Sequence, residues 1–421
     1  MVTALIIFAL TYILLLALPK YRAWVAVASG ALFVILGILP IGSVGGAIDW
    51  NVLMMIAGTM GLVSLFIDSG MPALLADLIL DRTPNVKWTI VALSLFAGIV
   101  SAFVDNVATV LMIAPVALAI AKKFDISPVP MVIAISVSSN LQGAATLVGD
   151  TTSILLGGYA NMDFLDFFVF QGKPGMFWVV ELGALLTMLV LLYIFRKDTQ
   201  PTVAKEHTVV TDYIPTILLG GAILLLICAS FIPNKPTVTN GLICMTLLVV
   251  GLIINVLRTK NFKAVTKPLS EIDFTTLLLL AGLFVVISGI EQAGVIDAIA
   301  GIFTKIGGDN LFLIYTLIVW ASVFFSAFID NIPYVATMLP VVQGISASMG
   351  VEPYLLYFGL LAGATLGGNL TPIGASANIT AIGMLRKEGF EVKTKDFLRI
   401  GVPFSLVAVI SGYIVIWFLW H

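Results

Sequence analysis

The chain has 421 residues, 60% of them hydrophobic and only 10% charged, with a mean hydropathy of +1.11 and a net charge of -2. Soluble domains carry about 25% charged residues, so this composition excludes an ordinary globular protein. Its long apolar runs suit helices crossing a hydrocarbon core in roughly 20 residues, and not the alternating segments of about 10 residues that build a membrane barrel. No basic stripe suggests nucleic acid. Cys228 and Cys244 both fall in apolar stretches and offer neither a disulfide framework nor a Cys-rich metal site.

The first apolar run, Leu5 to Leu18, lacks a basic leading region and an Ala-x-Ala cleavage site, so it reads as a first span and not a removable signal. In chain order the predicted spans are 3–18, 23–40, 51–68, 175–195, 213–232, 237–257, 273–290 and 400–419. Two further apolar regions, Trp88 to Ala160 and Leu311 to Leu385, are interrupted in their middles by Asp, Asn, Gly, Pro and Thr. Each reads as a re-entrant hairpin followed by a broken helix: hairpins at about 88–121 and 311–348, broken helices at about 129–160 and 353–385. The polar stretch 196–212, with Lys205, Glu206 and His207, reads as a cytoplasmic linker between a first half, 1–195, and a second, 213–421.

The halves repeat one pattern. Ile48-Asp49-Trp50 returns as Ile272-Asp273-Phe274 at an offset of 224. Ser101-Ala102-Phe103-Val104-Asp105-Asn106 returns as Ser326-Ala327-Phe328-Ile329-Asp330-Asn331 at an offset of 225, which also carries Pro115 onto Pro340. Thr146, Gly149, Thr151 and Ser153 map onto Thr371, Gly374, Ser376 and Asn378. With the Lys20–Arg22 turn in the cytoplasm and spans alternating, 18 of the 21 Lys and Arg residues are cytoplasmic, all but Lys173, Lys235 and Lys305. The first Asp-Asn segment then leads into Lys122-Lys123 inside, and its twin into the uncharged Ala347-Ser348-Met349-Gly350 outside. Opposed orientation of two repeats is the architecture of alternating-access carriers. The expected fold is therefore an all-α polytopic membrane protein of about 10–11 spans, built from two inverted repeats.

Asp105 and Asp330 sit between apolar arms of about 15 residues, too short for independent spans. An intramembrane carboxylate is costly unless solvated, protonated or paired. No Lys, Arg or His is expected at comparable depth, so the counter-charge falls to a proton, a metal cation or a substrate. Asp and Asn at these turns also suit caps for the second arm, but Ser, Thr or Asn would cap at less desolvation cost. At the broken helices, Gly143 to Ser153 and Gly367 to Asn378 cluster glycines with small polar side chains. A mid-membrane break exposes carbonyls that suit Na⁺ or proton carriers and N-terminal dipoles that suit anions; a plain kink or close helix crossing is the alternative. The candidate substrate and ion ligands are Asp105, Asn106, Thr146, Asp150, Thr151, Ser153, Asp330, Asn331, Asn369, Thr371, Ser376 and Asn378, with Asp105, Asp150, Asp330 and Asn378 as candidate Na⁺ ligands. Asp150 breaks the symmetry, because its twin is Ala375. Asp49 and Asp273 read as helix caps, and Trp24, Trp50, Trp88 and Trp178 as interface anchors.

The doubled Ser-Ala-Phe-x-Asp-Asn turn, the Thr146-Leu147-Val148-Gly149-Asp150 stretch and the stretch from Gly368 to Asn378 resemble the ion transporter superfamily. Within it they are most similar to the arsenite permease/NhaD antiporter branch, which also contains the melanosomal P protein, and more distantly to dicarboxylate/sodium symporters. The resemblance implies a homodimer in the lipid bilayer, in the cell inner membrane, moving arsenite, antimonite or Na⁺ in exchange or symport with H⁺ or Na⁺, without a further cofactor. Two departures stand out. The branch often has Gly-Asp-Pro-Pro-Asn where this chain has Gly149-Asp150-Thr151-Thr152-Ser153. Dicarboxylate carriers use Ser-Asn-Thr turns where this chain has Asp-Asn-Val and Asp-Asn-Ile, which argues against a carboxylate at those turns.

The leading expectation is a secondary carrier of a small inorganic ion or neutral oxyacid, and not an enzyme. A sodium-coupled di- or tricarboxylate or other anion symporter is the alternative. An intramembrane aspartyl protease would need two carboxylates sharing a proton, and its Tyr-Asp and Gly-x-Gly-Asp motifs are absent. A channel lacks any visible filter sequence.

Overall fold

The computed structural model describes residues 1–124, 126–201, 208–210, 212–308 and 310–421. The linker residues Lys205, Glu206 and His207 lie outside the described residues. The first half contains α1 (Val2–Ala17), α2 (Arg22–Ile35), α3 (Val44–Ala47), α4 (Trp50–Asp68), α5 (Met71–Leu80), α6 (Val86–Ser101), α7 (Asn106–Lys123), α8 (Val129–Gly143), α9 (Thr151–Ala160) and α10 (Met176–Ile194). The second contains α11 (Ile214–Ser230), α12 (Thr239–Thr259), α13 (Thr266–Ser270), α14 (Phe274–Gln292), α15 (Val295–Gly307), α16 (Leu311–Ser326), α17 (Asn331–Met349), α18 (Tyr354–Gly367), α19 (Ser376–Lys387) and α20 (Thr394–Trp420).

Side-chain caps start these helices in matched pairs. Asp49 Oδ1 accepts from the Val52 N–H and Asp273 Oδ1 from the Thr276 N–H, each at 3.0 Å. Asn85 caps α6 through the Trp88 N–H and Asn310 caps α16 through the Leu313 N–H. Each cap satisfies an amide that the first helical turn leaves free. The four Trp residues assigned to the interface are all exposed.

Four boundaries differ from expectation, one of them the start of α20, at Thr394 and not at 400. α2 stops at Ile35, not at 40, because Gly37 adopts φ +69°: its N–H bonds the Val34 carbonyl and the Ile38 N–H bonds the Phe33 carbonyl, both at 3.0 Å. That pair of bonds is a Schellman stop. The second arms of the expected hairpins, α7 and α17, run 18 and 19 residues, longer than the 15 anticipated, because Pro115 and Pro340 sit inside them without ending them. Length alone therefore no longer sets these arms apart from spans. The chain is also not wholly helical. Val169–Phe170 pairs antiparallel with Lys173–Pro174 around Gln171 and Gly172, whose φ values of +50° and +75° suit a two-residue hairpin turn.

Among the described residues, seven helices of at least 18 residues are long and apolar enough to cross a membrane. α1 and the 19–35 segment form a further apolar pair bent by 113°. At 1.5 Å per residue, α1 and α2 are only about 24 and 21 Å long, short of a hydrocarbon core about 30 Å thick. The chain is a multi-pass integral membrane protein, nearly all helical.

The halves interlock. α2 packs along α14 and α12 along α4; α6 packs on α8 and α16 on α18. The short helices cross over, with α9 against α17 and α19 against α7 and α8. α8 and α18 are buried along almost their whole lengths, as fits helices with no lipid-facing stripe.

Candidate functional site

Both Asp-Asn turns begin a helix. Asp105 Oδ2 accepts from the Val107 and Ala108 N–H groups at 3.0 and 3.1 Å. Asp330 Oδ1 accepts from the Ile332 N–H at 3.2 Å. Capping is thus part of their role, and the helix N-terminal dipole favours the negative charge there.

The breaks in the two long helices are seated on those turns by the same contacts. Thr146 Oγ1 donates to the Ala102 carbonyl, and its twin Thr371 Oγ1 to the Ala327 carbonyl. Gly149 lies so close that a Cβ built there would fall 2.6–2.7 Å from the carbonyl oxygens of Gly143, Ser101 and Ala102. At Gly374 the corresponding distances are 2.6–2.9 Å, to the carbonyls of Gly368, Ser326 and Ala327. Only glycine permits this approach. Replacing Thr146 and Thr371 by Val should lower stability by about 1 kcal/mol each, since each leaves a carbonyl without its donor; thermal unfolding in detergent measures this, and unchanged midpoints would contradict it.

Beyond the breaks, α9 and α19 restart at Thr151 and Ser376. Their preceding residues, Asp150 and Ala375, hold nearly the same backbone, φ/ψ of −144°/148° and −138°/144°, and neither makes a side-chain cap. Asp150 is 3% exposed, and Thr152 Oγ1 donates to its Oδ2 at 3.0 Å. Both Asp105 and Asp330 lie within electrostatic reach of it.

Four helix starts, of α7, α9, α17 and α19, converge on one cavity of about 350 Å³. Asp105, Asn106, Asp150, Thr151, Asn331 and Ser376 line it, together with Asp68, Glu271, Asp273, Thr276 and Lys267. Lys267 pairs with Asp68 at 2.5 Å. Asn331 is 3% exposed and its Nδ2 has no partner among the described residues. A second cavity of about 1000 Å³ is lined by Asp49, Asn51, Asn161, Asp163, Lys235 and Glu291, among others. α4 runs from this wide cavity to the narrow one, while α14, its repeat counterpart, runs the opposite way.

The other candidates do not line the narrow cavity. Thr146 and Thr371 tie the breaks down, as described. Asn369 and Asn378 belong to a buried network: Asn106 Nδ2 donates to Asn140 Oδ1 at 3.0 Å, and Asn140 Nδ2 donates to the Thr365 carbonyl and to Asn369 Oδ1. Ser136 Oγ donates to Asn378 Oδ1 at 2.5 Å. Ser153 Oγ is buried and has no hydrogen-bond partner among the described residues. Asn140, Ser136, Thr152 and Thr365 were missed by sequence reading. The signal was there, in the run Ser136-Val137-Ser138-Ser139-Asn140 within an otherwise apolar helix.

One expectation is overturned. A protein cation does reach a turn carboxylate: Arg22 Nη1 lies 2.5 Å from Asp330 Oδ2, which also accepts from Ser376 Oγ at 3.3 Å. The α1–α2 turn, placed at the cytoplasmic surface from its charge, folds against the start of α17 because its helices are too short to carry it clear. Asp330 is thus paired; Asp105 and Asp150 form no ion pair among the described residues.

Comparison with known proteins follows this geometry. The pattern of the citrate transporter family, CitMHS, matches residues 11–363. An uncharacterized transporter of Mycobacterium tuberculosis is 31% identical over 425 residues, spanning 99% of this chain and 98% of its own length. The human P protein is 26% identical over 446 residues, covering 87% of this chain and 53% of that protein. Among solved structures, the YdaH transporter of Alcanivorax borkumensis aligns with a TM-score of 0.61 at 15% identity, over 89% of this chain and 86% of that one. MtrF of Neisseria gonorrhoeae aligns with a TM-score of 0.58 at 15% identity, over 91% and 83%. At such identity these two speak for the fold alone. The family match runs from within α1 to most of α18, including both Asp-Asn turns and the first break, and the chain belongs to the citrate transporter family of membrane transporters.

Proposed function

We propose that the chain is a cation-coupled secondary transporter whose narrow cavity is the binding site, with Asp105 and Asp150 taking the coupling H⁺ or Na⁺. The single observation that carries this reading is the narrow cavity itself: two unpaired carboxylates and an unpartnered Asn331 Nδ2 meet at four helix starts. The carboxylates suit a cation, and Asn331 and Ser376 suit an oxygen-bearing solute. In this reading 1–195 and 213–421 are inverted repeats, supported by the opposite directions of α4 and α14 between the two cavities. Alternating access would then expose the site to each cavity in turn.

The cavity lining favours a cation or a small neutral oxyacid such as arsenous acid, because Asp105, Asp150, Asp68, Glu271 and Asp273 outnumber Lys267. A second reading, a di- or tricarboxylate carried together with a cation, is favoured by the family match and by the helix starts, whose amides attract anions.

The test is uptake into proteoliposomes of ²²Na⁺, arsenite and citrate under imposed Na⁺ and pH gradients. Concentrative uptake of arsenite or Na⁺ that collapses with the gradient supports the first reading, and cation-dependent citrate uptake supports the second. Downhill flux without counterflow for every solute would count against a carrier.

A further inference from the structure

The α1–α2 pair grips the second Asp-Asn turn and leaves the first free. Besides the 2.5 Å contact of Arg22 with Asp330, Tyr12 Oη donates to the Pro333 carbonyl at 2.8 Å and hydrogen-bonds with Thr337 Oγ1, one turn further along α17. The Arg22 and Asp330 side chains are only 25% and 15% exposed. Asp330 also accepts from Ser376 at the start of α19, so α2, α17 and α19 meet at one carboxylate. At the first turn, Asp105 accepts from the backbone of its own helix, and no ion pair holds it among the described residues. The two halves are therefore mechanically unequal.

We propose that the Arg22–Asp330 pair is a latch that holds α17 against α1–α2 in the conformation seen here, and that breaking the pair releases it. The inference rests on the carrier reading, in which the helices that start at the Asp-Asn turns must move. Separating two opposite charges away from water is costly while both stay charged. Removing either charge abolishes the ion pair and leaves the Tyr12 contacts to α17 in place. Among the described residues, the charged and titratable groups near the tip include Arg22 of α2 and Asp150 at the head of α9, with Tyr12 of α1 and Tyr334 of α17 beside its first turn. Asp150 opposes the negative charge of Asp330, and Arg22 supports it.

The test needs no solute. In the full chain with Cys228→Ser, where the remaining Cys244 is fully buried, Leu111→Cys reports on the narrow cavity and Gly46→Cys on the wide one. Labelling rates with a membrane-impermeant maleimide are compared in lipid nanodiscs. Arg22→Gln and Asp330→Asn should each lower the ratio of narrow-cavity to wide-cavity labelling by about three-fold or more, while Arg22→Lys keeps it near the parent. Asp330→Asn retains an acceptor for the Ile332 N–H, so the turn stays capped even if Arg22→Gln folds poorly. A parental ratio in whichever of these variants folds overturns the latch. A shifted ratio in a protein that fails the carrier test would leave the latch standing without the transport reading, and a parental ratio with intact gradient-driven uptake would do the reverse.

Discussion

Replacing Gly149 or Gly374 with Ala should destabilise the protein by about 3 kcal/mol or more, the upper end of what overpacking costs. At both positions the added Cβ meets three backbone carbonyl oxygens within 2.9 Å. A side chain could rotate away from such a contact; backbone at the end of α6 or α16 cannot. Making room means pushing Ala102 from Thr146, or Ala327 from Thr371, and so loosening the seat of each break on its turn. The control is Gly220 in α11, where an added Cβ meets nothing within 4 Å. Gly220→Ala should be neutral or stabilising by up to about 1 kcal/mol, from helix propensity alone. Thermal unfolding in detergent reads all three. Gly149→Ala and Gly374→Ala proteins that melt with the parent and transport at its rate would show that the breaks are not held by this contact.

Much of the frame was legible in the sequence because its signals are local. A cap needs only residues three apart, so Asp49 and Asp273 could be read as helix starts from one stretch of chain. The breaks at 144–150 and 368–375 announced themselves through glycine and small hydroxyls. The end of α2 is also a local signal, at Gly37, but the apolar residues around that glycine mask it, and the expected span runs too long. What stayed hidden depends on how distant segments meet. Arg22 and Asp330 are 308 residues apart, and nothing near Arg22 shows that α1 and α2 are too short to deliver it to the membrane surface. The Asn140 network is hidden for the same reason, since Thr365 and Asn369 become its partners only when α8 crosses the second break. The candidate set was thus found by residue type and depth, but its division between cavity-lining residues and structural ties follows from packing. The expectation that no protein cation reaches the deep carboxylates holds for Asp105 and Asp150 among the described residues, and fails for Asp330.

Of these, Asp150 should matter most. Asp150→Asn should cut cation-driven accumulation by about 100-fold, equivalent to about 2.7 kcal/mol, while the protein folds as the parent does. The folding half of this claim comes from the repeat itself. Ala375 occupies the matching position with nearly the same φ/ψ, so the backbone there does not require a carboxylate. Asp150 makes no cap, and Thr152 Oγ1 can still donate to an amide oxygen. Removing a buried charge opposed by Asp105 and Asp330 should, if anything, raise the melting temperature. The transport half follows from compensation. Asp105 is held by two amides and Asp330 by Arg22, whereas among the described residues Asp150 has only Thr152, through its hydroxyl and nearby N–H, against its charge. It is therefore the group with the most to gain from a cation. Solute exchange at equal concentrations needs no net cation movement and should survive in Asp150→Asn. Loss of accumulation with exchange retained is the signature of an uncoupled carrier. If Asp150→Ala still concentrates solute against a gradient, and does so with the parent's dependence on Na⁺ and pH, the coupling cation sits elsewhere, and Asp105 becomes the group to replace next.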